Sequence, residues 1–146
     1  MSSSRCSRLG RQVGMNTKAG RLWLMAIVVA HLIISAVHGA AHTGAQVPMS
    51  RAANLFIYGV ILVGPLVGFA LIGPAVRLGS IVIAVTMAAS LVFGIVNHFI
   101  LASPDHIAYV DPQWRPLFAA TAVLLAVTEA IGSGLAIHLV RERKMS

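Results

Sequence analysis

Apolar residues gather in four long runs, at about residues 22–41, 52–72, 79–102 and 117–140, separated by short breaks rich in Gly, Pro, Ser and charge. A helix needs about 20 residues to cross a bilayer at 1.5 Å per residue, and each run is long enough. Breaks this short place consecutive helices antiparallel. The pattern predicts an all-α integral membrane protein, an up-down bundle of four transmembrane helices forming one domain over residues 22–146. A basic tail over residues 1–21, expected to be disordered, precedes it.

Inside the runs the polar residues are few and ordered. His31, Ser35, His38 and His42 follow one another at steps of four, three and four. Such steps return to one stripe of a helix. Imidazole is costly in hydrocarbon, so the stripe must face polar partners in a bundle or pore. Small residues mark packing faces: Gly64 and Gly68 form a GxxxG pair around Pro65, which should kink the second helix. Ala122, Ala126, Ala130 and Gly134 form a ridge on the fourth.

Composition fixes the class and excludes others. The 146 residues are 58% hydrophobic and 10% charged, with mean hydropathy +0.85, where a soluble domain carries about a quarter charged residues. The net charge of +7 does not point to nucleic acid, because no basic patch interleaved with aromatics occurs. Arg5, Arg8, Arg11, Lys18, Arg21, Arg77, Arg141, Arg143 and Lys144 fall on one side of the predicted topology, and Arg51 and Arg115 on the other. That bias puts both termini in the cytoplasm, and the small basic chain fits a bacterial inner membrane. Trp23 and Trp114 fall at opposite interfaces, where indoles prefer to sit. A cleaved signal or transit peptide would share the basic start and the small run Gly39-Ala40-Ala41. The length of the first run and a histidine at its centre favour a retained helix instead, and Met15 is an alternative start. Cys6 alone allows no intramolecular disulfide.

Candidate chemistry lies at two depths. Counting from the boundaries, His31 is about 16 Å and Glu129 about 18 Å deep, which pairs them near the midplane as a proton relay or a buried polar clasp. Near the outer surface, His38 and His42 have the i, i+4 spacing with which two imidazoles hold one ion. His98 sits at matching depth on the third helix, and the turn after it brings Asp105 and His106. His38, His42, His98 and either Asp105 or His106 make a four-ligand set suited to zinc or copper(II), with Asn97 as a candidate orienting partner. The same positions allow a b-type haem on His38 and His98, with Gly39 and Gly94 leaving room for the porphyrin edge. The loop over residues 103–116, with Ile107, Tyr109, Val110 and Trp114, is expected to lie along the interface and cover this site. His138, on the azimuth opposite Glu129 and near the helix end, reads as structural.

Three functions follow from these residues. The first is a small membrane protein with an outward-facing histidine site binding a transition metal or haem, for metal handling or electron transfer. The second is a proton-coupled carrier or channel centred on His31 and Glu129, working as a homo-oligomer or in a larger complex because four helices enclose little space. The third is a non-catalytic structural subunit of a membrane complex. The acids are only Asp105, Asp111, Glu129 and Glu142, and no nucleophile, phosphate-loop or dinucleotide motif completes an enzyme active site.

Overall fold

The computed structural model describes residues 17–142, which form helices and no strands. Most of the basic tail, with Cys6 and Met15, lies outside the described residues, as do Arg143 and Lys144. Four helices are long and apolar enough to cross a membrane. We number them α1 (Thr17–Gly44), α2 (Arg51–Leu71), α3 (Val76–Ile100) and α4 (Arg115–Glu142).

Their ends differ from the sequence expectation for a physical reason. A hydropathy window reports where the chain is lipid-soluble, whereas a helix runs until its backbone is capped. Among the described residues α1 runs from Thr17, so Lys18 and Arg21 are helical. The Ser50 hydroxyl accepts from the Ala53 N–H at 3.1 Å and starts α2 at Arg51, as a serine N-cap does. α3 stops at Ile100 because Leu101 turns to extended backbone, φ −75° and ψ 125°. α4 starts at Arg115, whose guanidinium donates to the Val110 carbonyl at 3.0 Å and ties the helix start to the preceding connection.

Packing is antiparallel and sequential around the bundle. α1 rests mainly on α4, α4 on α3 and α3 on α2, while α1 and α2 touch little. At one end Leu24, Val28, Ile72, Ile83, Met87, Ala136 and Leu139 form a continuous apolar core. At the other, Ala41, Val110 and Phe118 form a smaller one under the 101–114 connection, with Ile107 and Trp114 against it. That connection lies across the bundle end, and the Trp114 ring sits directly on Gly44, where a Cβ would collide with it.

Glycine sets the closest approaches. A Cβ on Gly79 would lie 2.7 Å from the Gly68 carbonyl oxygen, so α2 and α3 meet backbone to backbone. Gly132 is similarly filled by Met87. The predicted small-residue ridge on α4 holds only in part. Ala122 is buried, but Ala130 and Gly134 are exposed, and nothing lies within 4 Å of a Cβ at Gly134. The ridge expectation assumed that an i+4 row stays on one face. Four residues overshoot the 3.6-residue turn by about 40°, so the row walks off the packed side.

α2 contains a π-helical segment, Ile57–Val63, immediately before Gly64 and Pro65. Proline has no N–H to give the carbonyl four residues back, and π turns accommodate such an interruption. The first part of α2, Arg51–Val63, buries no residue. Between it and α1 lies a cavity of about 540 Å³.

Candidate metal centre

The stripe on α1 faces inward as its spacing predicts. His31 and His38 are buried, and Ser35 and His42 half-buried. His98 reaches the same level from the π-helical end of α3, Val96–Ile100, which turns its ring toward α1.

Three ring nitrogens converge. His38 Nε2 lies 3.2 Å from His42 Nε2 and 3.3 Å from His98 Nε2. The His38 ring meets the other two edge to face, 4.7 Å from His42 and 4.9 Å from His98 between centroids. All three offer ligand atoms within 4.8 Å of one another. A tetrahedral ion with metal–nitrogen bonds of about 2.05 Å has nitrogen–nitrogen edges of about 3.3 Å.

The remaining nitrogens assign the tautomers through their acceptors. Thr121 Oγ1 spends its proton on backbone carbonyls, of Leu117 at 2.7 Å or Phe118 at 3.0 Å. It therefore accepts from His38 Nδ1, 2.8 Å away. His98 Nδ1 donates to the Asp105 carbonyl oxygen at 3.1 Å. In the neutral rings both protons are thus on Nδ1, and the Nε2 lone pairs of His38 and His98 point into one small space. Two lone pairs at 3.3 Å repel unless a proton or a cation stands between them.

Asp105 adds the anionic member. Its Oδ1 is 3.3 Å from His42 Nε2 and 3.3 Å from His98 Nδ1, the His98 nitrogen that does not face the shared space, so the carboxylate lies beside the three-histidine group. Burial pushes this carboxyl up, but its hydrogen bond with His98 and the positive charge that His98, His42 and His38 carry when protonated outweigh it. Its pKa is held below the usual carboxylate value.

The structure separates the two sequence candidates for the fourth position. Asp105 lies against the histidines, whereas His106 turns away. The His106 Nδ1 accepts from the Ala108 N–H at 3.1 Å, and its ring lies against Tyr109. A two-residue turn bond of this kind is local, and nothing in the spacing of a Pro-Asp-His turn says which side chain points inward. Asn97 is likewise not a histidine partner; its Nδ2 donates to Phe93 O in its own helix at 2.8 Å.

Sequence reasoning missed Phe118. Its buried ring lies 4.7 Å from His38, 4.7 Å from His42 and 5.2 Å from His98, and it shields the cluster's α4 side. An aromatic in the first turn of α4, level with His98, was the available signal.

At mid-bundle the depth pairing is reproduced. His31 Nδ1 lies 3.7 Å from Glu129 Oε1, and both residues are buried. His31 Nε2 points to the Ile61 carbonyl oxygen at 3.1 Å. Thr121, Thr128 and Ser133 bond carbonyls of their own helix, so these hydroxyls are spent on backbone rather than on a relay. His138 pairs with Glu142 at 3.1 Å on the exposed face.

The cavity touches both levels. Ser35, His38, His42, His98, Asp105 and Glu129 all contribute to its wall, which is otherwise mainly apolar. No known protein family, curated protein or solved structure matches this chain.

Proposed function

We propose that this is a multi-pass membrane protein that binds one transition-metal ion at His38, His42 and His98, with Asp105 as fourth ligand, for metal handling. The observation that carries the reading is the pair of Nε2 lone pairs, on His38 and His98, held face to face at 3.3 Å. A cation relieves that repulsion, and three imidazoles with a carboxylate suit zinc or copper(II). Thr121 and the Asp105 carbonyl supply the outer hydrogen bonds that orient metal-bound histidines.

The same geometry favours an ion over haem. Axial ligation by two histidines needs Nε2 atoms about 4 Å apart, twice a metal–nitrogen bond, with a flat macrocycle between them. Here His42 Nε2 stands 3.2 Å from His38 Nε2, in the space a porphyrin would take.

The bilayer is the solvent of the exposed apolar side chains, and the positive-inside bias orients the site outward, with both termini in the cytoplasm of a bacterium. A reporter fused after Ser146 is expected to be accessible only from the cytoplasm; access only from outside would invert the assignment.

The test is elemental analysis and visible absorption of protein purified in mild detergent. About one zinc, copper or iron per chain, lost in His38→Ala/His42→Ala, supports the site. Protein free of metal and unable to take it up when offered refutes it, and a Soret band would replace the ion by haem.

A further inference from the structure

The cavity wall continues past the histidine cluster to Ser35, Ser90 and Glu129. Beyond that level the bundle closes into the apolar core around Leu24, Val28, Met87 and Ala136. A proton on Glu129 therefore has an exit through the cavity and past the cluster. His31 is held with Nε2–H toward the Ile61 carbonyl. Its Nδ1 is buried, lacks a hydrogen-bond partner, and lies 3.7 Å from Glu129 Oε1. A carboxyl O–H turned to that lone pair serves both groups, and an ionised carboxylate leaves it unserved.

Resting on the metal reading above, we propose that the His31–Glu129 pair holds a proton that is released when a divalent cation binds the cluster, so that the protein exchanges a proton against metal charge. His38 stands seven residues above His31, about 10 Å along the helix. At that distance, in a poorly screened interior, a cation strongly favours the carboxylate over the acid. The O–H bond of Glu129 breaks, its electron pair stays on the carboxylate, and the proton passes to cavity water and out. The other titratable groups on the cavity wall are His38 and His42 on α1, Tyr58 on α2, His98 on α3 and Asp105 in the last connection. All but Tyr58 belong to the metal cluster, so Glu129 and His31 form the reservoir separate from it.

The experiment is calorimetric titration of Zn²⁺ into the full-length protein in detergent, in buffers of differing ionisation enthalpy, which counts protons released per ion. The pH is set above the ordinary imidazole value of about 6.5, so the ligands contribute few protons. Glu129→Gln is expected to bind the same number of ions and release about one proton fewer per ion than wild type. Equal release by the two proteins overturns the exchange while leaving the metal site standing. Failure of wild type to bind Zn²⁺, or undiminished binding by His38→Ala/His42→Ala, overturns the metal reading and the exchange with it. Should Glu129→Gln not assemble, His31→Leu takes its place. It removes the lone pair facing Glu129 and must shift the pH midpoint of proton release; an unmoved midpoint overturns the proposal.

Discussion

His31 Nε2 lies 3.1 Å from the carbonyl oxygen of Ile61, the carbonyl whose i+4 donor is missing because Pro65 stands there. The proline that interrupts α2 thus creates the acceptor that orients a buried histidine on α1. The contact matters because α1 and α2 otherwise touch little, and it fixes which ring nitrogen faces Glu129.

Restoring the missing donor should weaken the contact. Pro65→Ala lets the backbone compete for Ile61 O, so His31→Leu is expected to cost less in that background than in wild type. Interhelical hydrogen bonds in membrane proteins average about 0.6 kcal/mol and reach about 1.7 kcal/mol. A double-mutant cycle on unfolding in detergent should return a coupling in that range. A coupling of zero would mean that His31 is held by packing alone.

Thr121→Val keeps the shape of the site and removes the acceptor for His38 Nδ1–H. The variant should fold and bind metal with about 10- to 100-fold lower affinity, the usual loss when an orienting partner of a metal-bound histidine is removed. Competition with a chelator of known affinity measures it. Unchanged affinity would show that packing against Phe118 suffices to orient the ring.

Acid should act on Asp105 with a defined sign. A carboxyl held below its ordinary value contributes stability that is fully present above about 3.8, the ordinary value, and is lost as pH falls through the lower folded value. In metal-free protein, Asp105→Asn should therefore melt below wild type at neutral pH, and the gap should close only in strong acid. Thermal unfolding followed across pH tests this. A gap that closes near neutrality would assign the effect to the histidines. Metal itself should leave in acid, as protons compete for the imidazole ligands.

Two glycines should answer alanine in opposite ways. At Gly79 the new Cβ would meet the Gly68 carbonyl at 2.7 Å and the Ile72 nitrogen at 2.8 Å. Neither backbone can yield without parting α2 from α3, so a loss of about 1–3 kcal/mol is expected. At Gly134 nothing lies within 4 Å, and the better helix former should be neutral or stabilising by less than about 1 kcal/mol. Equilibrium unfolding of the two variants side by side decides it.

Much of this was legible in the chain because a helix converts spacing into direction and depth. The runs gave the helices, the four-three-four steps put His31, His38 and His42 on one inward stripe, and counting residues levelled His31 with Glu129 and His98 with His38. What periodicity cannot supply is the choice among neighbours. Asp105 and His106 are adjacent, and only the fold of the connection over Val110 and Phe118 turned one toward the cluster and the other outward. Ala130 and Gly134 continued a small-residue row, and only the packing of α4 on α1 and α3 left them exposed. The tautomers of His38 and His98 depended on Thr121 and on the Asp105 backbone, which are 83 and 7 residues away in sequence. The sequence by itself determined the four helices, their inward polar stripe and the levels of its residues, since these follow from rise and turn along one helix. The tertiary structure alone decided which side chains share a centre and which nitrogen each presents, since both are set by contacts between helices that no single segment encodes.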